Sequence, residues 1–296
     1  MITVTNRKIS FLLVAFVYAV AILAGVLAYG ALGTLPLWAA LLIADAVATV
    51  AVFLFSLLFG NASVYDPYWS VQPPVILLLL AASFGKPLSW AGVLILVAVF
   101  CWAIRLTANW AYTFRGLTHQ DWRYTMLHEK TGRAYPLINL LGIHMFPTLV
   151  VYACILPAVY ALRDGGEGGL LTVLGVLLSL LATTLQLVSD MEMQAFRRRN
   201  EGGFIRTGLW HYARHPNYLG EILMWWGIAI ASISLLKHEM WVLVLGAIAN
   251  TVMFLVVSIP MADRRQARKE GYAAYRAETR HLLPIPRRGG SGRWED

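Results

Sequence analysis

Residues 208–236 read GLWHYARHPNYLGEILMWWGIAIASISLL, a polar opening followed by an apolar run from Ile222 to Leu236. A helix needs about 20 predominantly apolar residues to cross a bilayer, and the run approaches that length together with the residues just before it. The opening, Gly208–Glu221, contains two histidines, an arginine, an asparagine, two tyrosines and a glutamate. The stretch therefore predicts a membrane helix with polar groups gathered at its start.

Apolar blocks of similar length recur along the 296 residues, of which 58% are hydrophobic and 14% charged. The blocks lack the period-two alternation of membrane strands, and a lipid-exposed backbone has to satisfy its own hydrogen bonds. We therefore predict an all-α fold, a polytopic membrane helical bundle of about eight transmembrane helices. The third of these helices is short and begins at the Pro73–Pro74 pair. The predicted helices are 11–32, 36–59, 71–84, 87–108, 137–162, 168–190, 219–236 and 239–261.

The basic residues indicate how such a bundle is oriented. Eight spans place both termini on one side, together with the loops 60–70, 109–134 and 191–218. That side carries 21 of the 24 Lys and Arg residues. Because cytoplasmic loops are enriched in Lys and Arg, we predict a multi-pass membrane protein with cytoplasmic N and C termini. Charge that follows membrane loops, with no recognition fold, indicates contact with membrane lipids and argues against a nucleic-acid partner.

A metal site is one interpretation of the opening stretch, because His211 and His215 are four residues apart. Pro216 breaks a helix directly after the second histidine, however, and Arg214 would repel a cation. The two cysteines fall inside apolar blocks and offer no thiolate site. We therefore predict no metal. A purely structural alternative is an interfacial aromatic belt with snorkelling polar groups.

An anion site is the interpretation that uses more of the opening stretch. Asn217 and Glu221 are four residues apart at the start of the helix, where free backbone N–H groups and the helix dipole favour an anion. Arg214 and His215 lie just before that start and add positive charge. Glu221 is suited to accept a hydrogen bond from a ribose hydroxyl or a carboxamide. The combination predicts a nucleotide-like ligand, although no Rossmann glycine motif is present.

Two further polar clusters lie on the same predicted side of the membrane. Together they supply more ionisable groups than helix caps and interfacial anchors require, so we expect function at this face. One cluster shares a face of the sixth predicted helix, and the other lies at the start of the third. Their members are Gln186, Asp190, Gln194 and Arg197 in the first, and Tyr65, Asp66 and Tyr68 in the second.

Several segments resemble the bacterial branch of the steroid 5α-reductase family. They are DPYWS from Asp66, RLTANW from Arg105, QDWRY from Gln120, QAFRRRN from Gln194, the opening stretch itself, and GYAAYRAETRHLLPIP up to Pro286. The resemblance implies a seven-helix membrane enzyme that binds NADPH in a cytoplasmic cavity. It also implies hydride transfer to an activated C=C bond of a lipid-like substrate, of the steroid or isoprenoid enone type.

The resemblance also implies a domain plan. The chain would be one membrane-embedded domain over residues 1–290, with residues 1–35 as an extra N-terminal helix. Residues 36–134 would form the substrate-side half and 135–288 the cofactor-side half, followed by a disordered tail at 289–296. The bacterial inner membrane is the expected location.

Residue by residue, the resemblance implies roles at matching positions. Asp66 corresponds to the family's carboxylate on the substrate side. The family's tyrosine proton donor falls at about Trp102, which has no phenolic proton, so Tyr65, Tyr68 or Tyr112 would have to substitute. We therefore predict Asp66, Tyr68 and Tyr65 as catalytic residues. The predicted NADPH contacts are Gln186, Asp190, Arg197, Asn217 and Glu221. Arg214, His215 and Tyr218 are predicted to support them. Arg264 and Arg268 lie at positions where the family has cofactor contacts, but they are different residue types from the family's.

Two other functions remain open from the sequence. An R-H-P-x-Y motif before a membrane helix also occurs in S-adenosylmethionine-dependent membrane methyltransferases of the isoprenylcysteine and phospholipid type. A non-catalytic lipid-binding role is the other alternative. The clusters around Asp66 and Asp121 favour the reductase, because small methyltransferases of that type have shorter N-terminal halves.

Asp45 lies in the middle of the second predicted helix. A carboxylate is expensive inside a bilayer and normally faces the bundle interior. It is expected either to be a protonated group hydrogen-bonded to a neighbouring helix or to have a role in a pocket or a proton relay.

Overall fold

The computed structural model describes residues 4–199, 202–236 and 242–284. Within these ranges the chain forms helices and no β-strand, apart from one isolated bridge between Ala213 and Arg280. The predicted all-α class is confirmed. The α-helices are α1 Arg7–Ala31, α2 Leu37–Phe59, α3 Tyr68–Ser83, α4 Trp90–Thr113, α5 Trp122–Thr131, α6 Tyr135–Ile138, α7 Phe146–Asp164, α8 Leu170–Arg199, α9 Leu209–Tyr212, α10 Pro216–Ile233, α11 Leu245–Met253, α12 Ile259–Gln266 and α13 Tyr272–Glu278.

Six helical segments among the described residues are long and apolar enough to cross a membrane. The polytopic character of the chain follows from them. The count of eight stays a prediction, because α3 has only 16 residues and α10 begins with the polar residues Pro216–Glu221. The six segments are Arg7–Ala31, Leu37–Phe59, Trp90–Thr113, Trp122–Asp164, Leu170–Arg199 and Val242–Gln266.

The observed helix ends differ from those predicted from hydropathy wherever polar residues belong to a helix. The predicted loop 109–134 contains the end of α4 and all of α5. Helix α5 begins after Asp121, whose side chain accepts a hydrogen bond from the Arg123 backbone N–H. Such an N-cap starts a helix of any polarity, so hydropathy alone does not reveal it. Helix α3 begins at Tyr68 and contains Pro73 and Pro74, which membrane helices tolerate better than soluble ones.

Two compact units make up the chain. Unit 1 comprises residues 1–87 and 103–159, and unit 2 comprises 88–102 and 160–296. The boundaries fall just before α4, within α4 and within α7, whereas the predicted halves divide at residue 134. The single-domain plan stays a prediction, and the predicted tail at 289–296 lies outside the described residues.

In unit 1, helices α1 and α2 pack closely. A Cβ added to Gly25 would lie 3.3 Å from the Ala44 carbonyl oxygen and 3.3 Å from the Ala48 Cβ. Tyr18 is buried and donates a hydrogen bond of 2.7 Å from its hydroxyl to the Val64 carbonyl oxygen. The α1 helix is thus tied to the segment that precedes α3.

In unit 2, the backbones of α8 and α10 touch at glycines. A Cβ added to Gly227 would lie 2.6 Å from both the Gly175 carbonyl oxygen and the Ser179 nitrogen. A Cβ on Gly175 would lie 2.5 Å from the Ala231 nitrogen. Because such distances exclude any side chain, these positions require glycine, as in other closely packed membrane helices.

Helix packing of this kind predicts the effect of one methyl group. Gly227→Ala should lower the free energy of unfolding by about 1–3 kcal/mol, because the neighbouring atoms belong to backbone and have to move. Thermal unfolding in detergent would measure the loss. The control is Gly30→Ala in α1, where an added Cβ meets no atom within 4 Å. Equal melting temperatures for the two variants would contradict the close packing.

Candidate functional site

The opening of α10 is fixed on α8. Glu192 of α8 accepts a hydrogen bond of 2.9 Å from the Leu209 backbone N–H, at the start of α9. Gly208 has φ of 60°, and a Cβ there would lie 2.2 Å from a Glu192 carboxylate oxygen. The Trp210 indole N–H donates to the Ser189 carbonyl oxygen at 3.1 Å. These contacts hold the start of α9 on α8, and Pro216 then begins α10 where a missing N–H costs nothing.

Arg214 and His215 hold the C-terminal segment to this opening. Both are buried and both contact Asp263, Arg214 through Nη2 at 3.2 Å and His215 through Nε2 at 2.9 Å. The hydroxyl of Tyr272 also donates to Asp263, and this contact together with burial raises the pKa of the Tyr272 phenol. The structure therefore directs the positive charge of Arg214 towards Asp263. Its contribution to ligand binding stays a prediction.

Glu221 lies one turn into α10 and is buried, with 4% of its surface exposed. Its Oε2 accepts a hydrogen bond of 2.9 Å from the indole N–H of Trp102, and its Oε1 accepts one of 3.0 Å from that of Trp225. The two indole rings meet edge to face at 4.9 Å. Two neutral donors thus fix the orientation of the carboxylate. Trp102, which has no phenolic proton, serves as one of these donors.

Gln186 of α8 lies against the start of α10. Its Cγ is the atom that a Cβ on Gly220 would meet, at 2.4 Å. The side chain is 1% exposed, and among the described residues neither its Nε2 nor its Oε1 has a hydrogen-bond partner. A buried amide without partners is costly, by about 1–3 kcal/mol for each unpaired group. It is therefore suited to a polar ligand that brings both a donor and an acceptor.

The remaining predicted cofactor residues also belong to unit 2. The Asn217 side chain accepts a hydrogen bond of 3.1 Å from the Tyr218 backbone N–H, and the Tyr218 ring stacks on His215 at 5.1 Å. Asp190 is half-buried. Three arginines are exposed near the ends of α8 and α12, namely Arg197, Arg264 and Arg268.

Positive charge gathers beside one of these arginines. Burial and the nearby charges of Arg265 and Arg197 lower the pKa of Lys269. The Lys269 ammonium also donates to the Gly203 carbonyl oxygen at 2.5 Å. An anion would relieve the repulsion that Lys269 experiences from these arginines. The neighbourhood of Arg197, Arg265 and Lys269 is therefore suited to a phosphate group.

In unit 1, Asp66 is paired with a tyrosine that the sequence analysis did not select. The Tyr124 hydroxyl donates a hydrogen bond of 2.7 Å to Asp66 Oδ1. Burial raises the pKa of Asp66 to about 6. The positive charge of Arg123 and the hydrogen bond from Tyr124 act in the opposite direction and reduce the size of this increase. Tyr124 ends the QDWRY segment that the resemblance had already marked. An acid with this pKa keeps a protonated fraction near neutral pH.

The other two predicted catalytic residues have different partners. The Tyr65 hydroxyl lies 2.8 Å from the Thr148 hydroxyl, and burial raises the pKa of the Tyr65 phenol. The Tyr68 hydroxyl donates to Asp45 Oδ1 at 3.4 Å. The structure thus brings each of the three predicted residues to a separate hydrogen-bond partner, all within unit 1. Tyr112, the other candidate donor, is exposed.

No group of three or more His, Cys, Asp or Glu side chains in the described ranges is arranged to hold a metal ion. His211 is exposed, and His215 is held by Asp263.

Comparison with known proteins assigns the chain to a family. Residues 52–279 match the family model described as "Protein of unknown function (DUF1295)", which is the steroid 5α-reductase-like family. The chain belongs to this family. The matched residues include Asp66, Gln186 and the whole opening of α10. Membership makes the chain part of a membrane oxidoreductase family.

Two curated relatives of this DUF1295 chain are similar over part of their length. An uncharacterized protein of Schizosaccharomyces pombe, C594.04c, is 27% identical over 209 residues, covering 60% of each chain. The human 3-oxo-5-alpha-steroid 4-dehydrogenase 2 is 33% identical over 123 residues, covering 40% of this chain and 47% of the relative. The chain thus spans about half to three fifths of the relatives' lengths. No solved structure matches it.

The raised pKa of Asp66 has a measurable consequence for stability. The folded protein binds a proton between about pH 4 and pH 6 that the unfolded chain releases, so this group lowers the free energy of unfolding as pH rises through that window. The melting temperature of the wild type, minus that of Asp66→Asn, should therefore fall from about pH 4 to about pH 7. Thermal unfolding of both proteins in detergent measures the difference. Asp164→Asn, at an exposed position, controls for the loss of one charge. Parallel curves would contradict the raised pKa.

Proposed function

We propose that the chain is an NADPH-dependent membrane reductase that transfers a hydride to an activated C=C bond of a lipid-like substrate, of the steroid or isoprenoid enone type. The observation that carries the proposal is the buried, unpaired amide of Gln186 beside Gly220, next to the fixed carboxylate of Glu221. A dinucleotide offers the donor and the acceptor that the Gln186 amide lacks among the described residues. The human relative's name, a steroid 4-dehydrogenase, supports the same class of chemistry.

The residues of unit 2 fit NADPH. Gln186, Asn217 and Glu221 would hold its polar head groups, because an amide both donates and accepts while a carboxylate accepts from hydroxyl and carboxamide groups. Exposed Arg197, close to Lys269, would bind a phosphate and favour NADPH over NADH. When bound, NADPH supplies the hydride. Arg214 and His215 act by holding the opening of α10 in place through Asp263.

Asp66 and Tyr124 of unit 1 would supply the acid. A protonated Asp66 donates to the carbonyl oxygen of the enone, which draws electron density from the β-carbon and favours hydride addition there. Tyr124 orients the carboxyl through its hydrogen bond. The enolate oxygen would take the Asp66 proton, and tautomerisation of the resulting enol would leave a proton on the α-carbon, so that one hydride and the proton from Asp66 saturate the C=C bond. Water would then return a proton to the Asp66 carboxylate. At neutral pH roughly a tenth of Asp66 would carry its proton, and the fraction rises below pH 6.

The location belongs to the same proposal. We place the chain in a bacterial inner membrane with both termini cytoplasmic, in a role in lipid metabolism. The distribution of Lys and Arg along the loops supports this orientation.

Ligand titration tests the proposed function against the methyltransferase and the non-catalytic alternative. We expect NADPH, and not S-adenosylmethionine, to raise the melting temperature of the protein purified in detergent. Gln186→Met removes both unpaired polar atoms at similar length and should weaken NADPH binding about tenfold. The control is Ser232→Ala, which removes another buried, unpaired polar atom from the α8–α10 pair. Stabilisation by S-adenosylmethionine alone would overturn the proposal, and stabilisation by neither would favour lipid binding.

A second test concerns the donors to Glu221. Trp102→Phe keeps an aromatic ring but removes the hydrogen bond to Oε2, so the carboxylate loses one of the two indole donors that fix its orientation. NADPH affinity, measured by fluorescence titration, should fall by about tenfold, because hydrogen bonds to charged groups contribute about 1.5–3 kcal/mol. Trp226→Phe is the matched control, since its indole N–H donates to Thr251 and not to Glu221. Unchanged affinity in Trp102→Phe would show that Glu221 does not bind the cofactor.

A further inference from the structure

Helix α13 and the residues that follow it lie across the opening of α10, within unit 2. We name residues 272–281 the C-terminal strap. The backbone N–H of Arg214 donates to the Arg280 carbonyl oxygen at 3.0 Å, and that of His215 donates to the His281 carbonyl oxygen at 3.0 Å. His215 is the residue directly before α10. The strap therefore fixes the backbone at the point where α10 starts.

The side chain of Arg214 connects the same two segments. It is 2% exposed, and its Nη1 donates to the carbonyl oxygens of Thr279 and Arg276, the latter at 3.2 Å. Its Nη2 donates to Asp263 Oδ2 at 3.2 Å and also lies 2.7 Å from Nδ1 of His281. A buried guanidinium thus has the His281 ring as one of its direct neighbours.

This contact determines the protonation state of His281. A guanidinium has donors only and keeps its proton, so His281 Nδ1 has to accept with its lone pair, and the imidazole is neutral. Burial and the charge of Arg214 lower the pKa of His281. His215 and Arg276 act in the same direction. Asp263, whose Oδ2 lies 3.6 Å from Nδ1, acts in the opposite direction without cancelling the decrease.

We propose that His281 makes the docking of the C-terminal strap depend on pH: the neutral imidazole keeps the strap on the opening of α10, and protonation releases it. An imidazolium has no lone pair at Nδ1 and would place a second positive charge beside Arg214. Half of the His281 side chain is exposed, so water reaches it while the strap is docked. When His281 moves away from Arg214, the His215 N–H loses its carbonyl acceptor.

The direction of the effect follows from proton linkage. The docked strap binds fewer protons than the released one, because docking lowers the pKa of His281. Acid therefore favours release, beginning near pH 6.5, the ordinary pKa of a histidine, and continuing until docked His281 itself titrates at lower pH. Asp263 stays charged in this range. Although burial opposes it, the hydrogen bonds that Asp263 accepts, first that from His215, lower its pKa.

Hydrogen–deuterium exchange of the full chain in detergent tests the proposal. After correction for the pH dependence of the intrinsic rate, peptides covering residues 209–219 and 272–284 should exchange several-fold faster at about pH 5 than at about pH 7.5. His281→Asn offers Arg214 an amide oxygen that does not titrate, so the difference between the two pH values should disappear. His211→Asn, at an exposed histidine of α9, should keep the wild-type response.

Three outcomes would overturn the proposal. Equal exchange of the wild type at both pH values would show that the strap does not respond to acid. An unchanged response in His281→Asn would assign the effect to another group. If His281→Asn releases the strap at both pH values, the slow exchange of the imidazole C2 hydrogen measures the titration directly, because His281 is the one histidine in residues 272–284. A pKa at or above the ordinary value would then contradict the proposal.

NADPH titration adds a readout that rests on the proposed function. If the strap holds the cofactor residues of α10 in place, the affinity of the wild type for NADPH should fall several-fold over the same pH range, and that of His281→Asn should not. The exchange measurement uses no ligand. A strap that responds to pH in a protein that does not bind NADPH would thus contradict the reductase function and leave this inference intact.

Discussion

The close contact between the backbones of α8 and α10 is the constraint on which the candidate cofactor site depends. Gly175 meets Gly227 and Ala231, while Gln186 meets Gly220, so the two helices run antiparallel with no side chain between them at these points. Only this proximity brings the Gln186 amide beside the first turn of α10. The resulting burial also explains why the amide has no partner: the facing surface is glycine, which has no side chain to offer.

Buried carboxylates recur in this chain, and each has a different set of partners. Asp263 is paired with a cation, Arg214, and with His215, which suits a group that holds two segments together. The partners of Glu221 include two neutral indole donors, and Asp45 accepts from an amide and a phenol. The indoles fix the orientation of the Glu221 carboxylate, whereas the groups around Asp263 connect two segments of the chain.

Much of the architecture follows from hydropathy, because each apolar block has to be a helix in lipid. The residues of the candidate site on α8 and α10 were also accessible from sequence, since Gln186 to Arg197 share one helical face and Asn217 to Glu221 mark a helix start. Contacts between segments that are distant along the chain were not accessible from the sequence. Tyr124 lies 58 residues from Asp66, and Trp102 lies 119 residues from Glu221. No periodicity links such positions. Helix α5 was missed because its polar composition gives no hydropathy signal, although the Asp121 cap was present in the sequence.

The presence of a tryptophan at position 102 limits which residues of the chain can donate a proton. An indole N–H is a donor only and does not ionise near neutral pH, so Trp102 orients Glu221 without acting as an acid. Trp225, the other donor to Glu221, has the same limitation. In unit 1 the Asp66–Tyr124 pair combines a phenolic O–H with a carboxyl group whose pKa is raised to about 6. Among these hydrogen-bonded groups, that pair has a proton that can be transferred near neutral pH, whereas the indoles around Glu221 fix the orientation of a carboxylate.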